Sequence, residues 1–161
     1  PEIGIVGAKI LGPKWEIQHA GMILGLGGPA GPIFEGAHEY IYSPYGSPES
    51  YRNYMAVTGS CMAVRREVFE QLGGFDEVYR SAYGDIDLCL RAAEAGFRVV
   101  YTPYCRVQTQ TSDSIDKGIP ESDVTRITQA ISQFTLNGDP YFNPNLSYRW
   151  LIPQIKENEG S

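Results

Sequence analysis

Residues 58–104 have the sequence TGSCMAVRREVFEQLGGFDEVYRSAYGDIDLCLRAAEAGFRVVYTPY. Residues 60–64 alternate in a pattern typical of a short strand. Apolar side chains then recur on one face of residues 65–72, which predicts a short helix, and Gly73 and Gly74 follow it. Glycine readily adopts the left-handed conformation that ends helices, so the helix is expected to stop there.

The second half of this stretch predicts a loop, a helix and a strand. Residues 75–84 show no periodicity. Asp85 opens a run with the spacing of an amphipathic helix, whose apolar positions are Ile86, Cys89, Leu90 and Ala93. Gly96 closes this helix, and residues 98–101 are typical of a strand that Pro103 is expected to stop. An acidic residue therefore lies at the start of the second helix.

The composition is that of one globular unit. A chain of 161 residues is long enough to bury one core. Its net charge of −6 and pI of about 4.9 argue against nucleic acid or anionic membrane as a direct partner, and no apolar run has the length of a spanning helix. Cys61, Cys89 and Cys105 form no CxxC motif, which is typical of free thiols in a reducing compartment. We therefore expect a cytoplasmic location, which includes the inner face of the membrane.

Residues 3–24 predict a hairpin. Residues 3–11 are an apolar run typical of a buried strand, residues 12–14 form a turn, and residues 15–24 return as a second strand. His19 lies in the returning strand. It is either a substrate contact or a structural histidine, and the lack of a partner in the sequence pattern favours the structural interpretation.

Residues 25–51 are rich in glycine and proline and contain five aromatic residues, Phe34, Tyr40, Tyr42, Tyr45 and Tyr51. A long loop of this composition is either a functional lid or a solvated connection. Tyrosines beside glycines suit carbohydrate, whose C–H faces stack on aromatic rings. Beyond residue 120, Ser122 is a candidate N-cap for a helix with an apolar stripe over residues 124–134, and the segment after Asp139 is expected to wrap the surface.

Six segments carry a resemblance to a known family: GGFDE at 73–77, GDIDLCLR at 84–91, AGFRVVYTP at 95–103, GIVGAK at 4–9, IQHAG at 17–21 and DPYFNPNLS at 139–147. They resemble the C-terminal, acceptor-side half of family 2 glycosyltransferases of the GT-A fold, in particular rhamnosyltransferase-like members. The resemblance implies an α/β fold, a partial GT-A (nucleotide-diphospho-sugar transferase) fold with a small mixed sheet flanked by helices. It also implies that the whole chain is one domain and that the N-terminal nucleotide-binding half is absent from it.

By this resemblance, Asp85 is the general base that accepts a proton from the acceptor hydroxyl. The start of a helix suits a carboxylate, because the helix dipole and free N–H groups stabilise negative charge. An ordinary helix cap is the alternative interpretation. The resemblance assigns substrate binding to six further positions: Thr58, Gly59 and Ser60 under the donor sugar and acceptor, Tyr83 and Gly84 in the wall beside the base, and Asp87, which either orients the site or caps the helix.

No metal site is predicted in this chain. Asp85-Ile86-Asp87 matches the letters of the glycosyltransferase Asp-x-Asp metal motif, but residues i and i+2 of a helix point about 200° apart. Gln110 stands where the family usually carries a histidine, and glutamine is a poor replacement for an imidazole ligand. Three alternatives stay open: Mg²⁺ or Mn²⁺ held by the N-terminal half, metal-independent transfer, and lost activity.

The resemblance implies that the full-length protein transfers a sugar, with inversion, from a nucleotide-sugar donor to a glycan hydroxyl in bacterial cell-surface polysaccharide synthesis. The isolated chain is expected to be inactive. It is also expected to form a homo-oligomer through Ile3–Leu11 as an exposed sheet edge. A non-catalytic carbohydrate-binding module and a hydrolase that pairs Asp85 with a second acid are the alternatives.

Overall fold

The computed structural model describes residues 2–110 and 118–157. The structure contains one short 3-10 turn in this part of the chain, Gly59–Cys61. The strands and helices, in chain order, are β1 (Ile3–Leu11), β2 (Ile17–His19), β3 (Met22–Leu24), β4 (Ala30–Pro32), β5 (Arg52–Tyr54), β6 (Met62–Val64), α1 (Arg66–Gln71), α2 (Gly84–Glu94), β7 (Arg98–Gln108) and α3 (Glu121–Ser132).

A five-stranded mixed sheet is built around the parallel pair β1 and β7. β5 pairs antiparallel with the other side of β7. The second side of β1 is shared by β6, opposite Ile5–Gly7, and by β2, opposite Ile10 and Leu11. β3 and β4 form a separate hairpin. The small mixed sheet with flanking helices confirms the α/β architecture predicted from the sequence.

β1 is an interior strand, so the prediction that Ile3–Leu11 forms an exposed edge is wrong. β7 pairs with it from Ile3 to Leu11, and β6 and β2 occupy its other side. Its apolar residues on both faces, such as the buried Ile5 and Ile10, are what an interior strand requires. Among the strands of the described residues, β6 and β2 each pair with β1 alone, so these two short strands together form the edge on this side.

β7 continues through Pro103, so the prediction that this proline stops the strand is also wrong. The register against β1 moves from Thr102 to Arg106 across one step of β1. Residues 103–105 thus form a bulge, where a proline needs no ladder partner for its missing N–H group. The strand accommodates the proline without ending.

The predicted return strand over residues 15–24 is broken at Gly21. β2 stays with β1, whereas β3 leaves to pair with β4. Gly21 has φ 105°, and a Cβ atom there would lie 2.1 Å from the Tyr54 ring. Only glycine permits this close approach with a positive φ. The hairpin prediction is therefore confirmed for β2 and wrong beyond His19.

The helical predictions are largely confirmed. Gly73, Gly74 and Gly96 all have positive φ values at helix ends. The buried face of α2 is wider than predicted, because it comprises Ile86, Leu88, Cys89, Leu90 and Ala92. α3 buries Ile127 and Ile131 as its stripe predicts, but it begins after Pro120 rather than at Ser122.

The buried apolar residues form two clusters. The first joins β1 and β7 to all three helices. The second joins the hairpin, the 25–51 loop and the C-terminal segment, which contributes Phe142 and Leu146. As predicted, this segment runs largely over the surface, and these two side chains anchor it in the core. Within the described ranges, no helix has the length and apolar character needed to cross a membrane.

Candidate active site

Most of the predicted site residues line one open cleft of about 530 Å³. The cleft lies between the 3-10 turn and the loop that enters α2. Its walls are Gly59, Ser60, Phe75, Asp76, Glu77, Tyr79, Arg80, Ser81, Ala82, Tyr83, Gly84 and Asp85. The structure thus brings the predicted base together with four of the predicted substrate residues, whereas Thr58 and Asp87 lie outside this lining.

Asp85 is held by two backbone donors at the start of α2. Its Oδ2 accepts from the N–H of Gly59 at 2.7 Å, and its Oδ1 accepts from the N–H of Ile86 at 2.9 Å. The side chain is partly exposed to the cleft. Carboxylate oxygens have further lone pairs, so Asp85 is fixed in direction and can still accept a proton from a hydroxyl. Its role as the base stays a prediction.

The turn facing Asp85 requires a small residue. A Cβ atom on Gly59 would lie 3.2 Å from the Cβ of Asp85, which is tighter than an ordinary contact. Glycine therefore lets the backbone N–H approach the carboxylate. Thr58 closes the turn, because its Oγ1 accepts from the N–H of Ser60 at 3.3 Å and its hydroxyl donates to Ser60 Oγ at 3.2 Å.

His19 supports this turn from the interior. Its Nε2 accepts from the N–H of Gly21 at 3.2 Å and from the N–H of Thr58 at 3.4 Å. Because Nε2 is an acceptor, the ring proton is assigned to Nδ1. Burial lowers the pKa of His19 to about 3. These contacts agree with the structural interpretation of this histidine and connect the corner between β2 and β3 to the site.

Tyr83 and Gly84 form the entry to α2. Tyr83 has φ 70° and ψ −2°, a left-handed conformation that costs a non-glycine residue about 1–3 kcal/mol. The Tyr83 side chain packs against the first core, which holds it in this conformation. A Cβ atom on Gly84 would make only an ordinary 3.8 Å contact with Tyr79. Tyr83 therefore carries the backbone strain beside Asp85.

Asp87 is directed to Arg91 rather than to the cleft. Its Oδ2 accepts from Arg91 Nε at 2.8 Å, and the two residues form an ion pair one helical turn apart. Arg91 also donates to the carbonyl oxygens of Leu72 at 2.7 Å and Gly74 at 2.9 Å, at the end of α1. Asp87 thus helps to join α1 to α2, and its carboxylate diverges from that of Asp85, as the i, i+2 spacing predicts.

Asp123 is a residue of this region that the sequence analysis missed. It is fully buried in the first turn of α3, and its Oδ2 accepts from the N–H groups of Arg80 at 3.0 Å and Ser81 at 3.2 Å. The N–H of Ala82 lies at 3.5 Å from the same oxygen. Burial raises the pKa of Asp123, but these donors and the Ser122 hydroxyl outweigh it and lower the pKa below its usual value.

The 25–51 loop divides into packed and exposed aromatic residues. Phe34 is fully buried, whereas Tyr40, Tyr42 and Tyr51 are 59%, 83% and 62% exposed. Tyr51 contacts the exposed ring of Tyr104 with a centroid separation of 5.0 Å. The loop is therefore anchored in the second core and still offers rings to solvent.

In the part of the chain that the structure describes, the side chains are not arranged to bind a metal ion. No three His, Cys, Asp or Glu side chains there lie close enough to hold one ion. Gln110 is exposed, and Thr111 and Ser112 after it lie outside the described residues. Binding of Mg²⁺ or Mn²⁺ by another part of the protein stays a prediction.

Comparison with known families identifies the class of this protein. The family model described as "Glycosyltransferase like family 2" matches residues 36–122, which contain the whole cleft. The chain belongs to glycosyltransferase family 2. This confirms the resemblance seen in the sequence, and the mixed α/β architecture is that of a partial GT-A fold.

Three curated relatives are similar to this chain. The O-antigen biosynthesis protein RfbC of Myxococcus xanthus is 40% identical over 150 residues, which cover 91% of this chain and 12% of that protein. An N-acetylglucosaminyl-diphospho-decaprenol L-rhamnosyltransferase of Mycobacterium tuberculosis is 47% identical over 51 residues, 32% of this chain and 17% of that protein. Rhamnosyltransferase WbbL of Escherichia coli is 49% identical over 45 residues, 28% of this chain and 17% of that protein. The chain spans less than a fifth of the length of each relative.

Proposed function

We propose that the full-length protein transfers a sugar from a nucleotide-sugar donor to a hydroxyl of a glycan acceptor, with inversion, during synthesis of a bacterial cell-surface polysaccharide. Family membership and the names of the relatives support this proposal. The observation that carries it is the Asp85 carboxylate, held 2.7 Å from the Gly59 N–H at the wall of an open cleft.

In the proposed reaction, Asp85 accepts the proton of the acceptor hydroxyl as that oxygen attacks the anomeric carbon. The new bond joins the acceptor oxygen to this carbon, while the bond to the diphosphate oxygen breaks and its electron pair leaves with the nucleoside diphosphate. A single displacement of this kind inverts the anomeric configuration. Asp85 then returns its proton to solvent, which restores the carboxylate.

The other site residues are given supporting roles in this proposal. Gly59 orients the base through its N–H group, and Thr58 and Ser60 shape the turn under the sugars. Tyr83 and Gly84 form the wall beside Asp85. Asp87 acts through Arg91, by fixing α2 against the end of α1.

The nucleotide-binding half and any Mg²⁺ or Mn²⁺ are proposed to belong to other parts of the protein, since the chain spans only a small share of its relatives. The isolated chain should then bind nucleotide sugars no more tightly than millimolar and should not catalyse transfer. Calorimetry with UDP-, GDP- and dTDP-sugars measures this directly, and a micromolar dissociation constant would contradict it. A cytoplasmic location, including the inner face of the membrane, belongs to the same proposal.

The activity itself is tested with the full-length protein, the same nucleotide sugars and a bacterial glycan acceptor. Mass spectrometry should show one added sugar per acceptor together with free nucleoside diphosphate, and NMR of the product should show an inverted anomeric configuration. Glycan binding without nucleoside diphosphate release would indicate a carbohydrate-binding module. Shortening of the glycan would indicate a hydrolase.

A further inference from the structure

The loop that forms one wall of the cleft is anchored by a buried carboxylate from another helix. Oδ2 of Asp123 faces three consecutive backbone N–H groups, those of Arg80, Ser81 and Ala82, at 3.0, 3.2 and 3.5 Å. Successive N–H groups that converge in this way form a concave anion-binding nest. Here the anion is a side chain of the protein, and it lies 41–43 residues away along the sequence.

A buried carboxylate of this kind is retained only when its charge is well satisfied. Removal of a charged group from water is costly unless donors replace the solvent. Asp123 has no exposed surface, and its Oδ1 also lies 3.4 Å from the Ser122 hydroxyl. The direction of its pKa shift, below the usual value, agrees with stabilisation of the ionised form by these donors. The Asp123 carboxylate therefore needs the N–H groups of the loop to stabilise its charge, and the loop needs the carboxylate as the acceptor for these N–H groups.

The anchored loop leads directly to the proposed base. The three residues that contact Asp123 are followed by Tyr83, in its left-handed conformation, and then by Asp85 in the first turn of α2. The same three residues line the cleft that Asp85 faces. A displacement of the loop would therefore shift both the cleft wall and the hydrogen bond between Asp85 and Gly59.

We propose that Asp123 is a positioning residue: it holds the 80–82 loop so that Asp85 meets the Gly59 N–H and the acceptor wall keeps its shape. This inference rests on the proposed function for its catalytic consequence. Its structural consequence, coupling between Asp123 and the Gly59 N–H across the cleft, can be measured without any turnover.

The test uses the full-length protein with Asp123→Ala, Asp123→Asn and, as a control, Ile131→Ala. Ile131 lies on the same helix in the first core, so its truncation weakens packing without removing a partner of the loop. Amide hydrogen exchange is read by mass spectrometry on peptides that contain Gly59 and residues 80–82. Loss of charge-assisted hydrogen bonds should speed exchange in both peptides of Asp123→Ala by about tenfold or more. Asp123→Asn keeps a neutral oxygen and should lie between the wild type and Asp123→Ala.

Steady-state transfer kinetics provide the second readout. Asp123→Ala should lower kcat and raise the KM for the glycan acceptor, each by about tenfold or more relative to Ile131→Ala, because the base and the acceptor wall are both displaced, while the KM for the nucleotide sugar stays unchanged. Asp123→Asn should recover part of the loss. Unchanged exchange at Gly59 in Asp123→Ala, or equal effects of Asp123→Ala and Ile131→Ala, would overturn the inference. Absence of transfer in the wild type would instead contradict the proposed function, and the exchange data would still decide whether Asp123 positions Asp85.

Discussion

Lowering the pH from 7 to 4.5 is expected to weaken the fold through His19. The pKa of His19 is about 3 in the folded chain because its ring is buried, whereas an unfolded histidine titrates near pH 6.5 by the usual value. Between these two values the unfolded chain binds one more proton than the folded chain. The free energy of unfolding therefore falls as the pH falls, and the contribution of His19 is complete only above about pH 6.5.

The expected magnitude follows from the size of this window. One extra proton in the unfolded state costs about 1.4 kcal/mol of stability for each pH unit, so the loss between pH 6.5 and 4.5 is about 2–3 kcal/mol. A typical domain has a free energy of unfolding of roughly 5–15 kcal/mol, so this loss is a large part of it. Protonation would also place an N–H group on Nε2 against the N–H groups of Gly21 and Thr58, which would loosen the turn that faces Asp85.

The assay is urea unfolding of the 161-residue chain, followed by tryptophan fluorescence at several pH values between 7 and 4.5. His19→Gln removes the titrating ring, and His38→Gln is the matched control because His38 is exposed. The wild type and His38→Gln should lose about 2–3 kcal/mol more than His19→Gln over this range. Parallel pH dependences for the wild type and His19→Gln would refute the reasoning, because they would mean that His19 binds protons equally in both states.

Three other perturbations have clear expected outcomes. Gly59→Ala forces its new Cβ against Asp85, so the transfer rate of the full-length protein should fall about 10²-fold in initial-rate assays, and an unchanged rate would argue against this contact. A lysine in place of Arg91 cannot reach Asp87 and the carbonyl oxygens of Leu72 and Gly74 together. Urea unfolding of Arg91→Lys should therefore show a free energy of unfolding lower by about 1.5–3 kcal/mol. A decrease below about 0.5 kcal/mol would contradict this role of Arg91. The isolated chain should self-associate as its concentration rises, which light scattering measures, and Ala63→Lys on the β6 edge should reduce this association. A monomer at high concentration would show that this edge is protected.

The helices depend mainly on residues that are close in sequence, and these elements were predicted from the sequence. The helices were located by the spacing of apolar residues, and Gly73, Gly74 and Gly96 marked their ends because glycine, which has no Cβ atom, adopts a positive φ without steric cost. The resemblance located the cleft, including Gly59 and Asp85, which meet although they are 26 residues apart in sequence.

The errors concern features that depend on distant partners. Whether β1 is an edge depends on pairing with β6 and β7, which follow it by more than 50 residues, and the bulge that accommodates Pro103 depends on the register against β1. The role of Asp123 was missed for the same reason. In the sequence it is an ordinary acid in the first turn of a helix, and only the fold brings the 80–82 loop to its carboxylate.

The most direct measurement of the central claim is the turnover of Asp85→Asn in the full-length protein, followed as nucleoside diphosphate release with and without the glycan acceptor. Loss of a general base should lower kcat by about 10²–10⁴-fold. Stability should fall by only about 1–3 kcal/mol, because asparagine keeps one acceptor oxygen for one of the two backbone N–H groups that Asp85 binds. Asp87→Asn, whose carboxylate faces Arg91, should retain most of the activity. A kcat for Asp85→Asn within a few-fold of the wild type would show that Asp85 only joins the start of α2 to the 3-10 turn and that another group removes the proton.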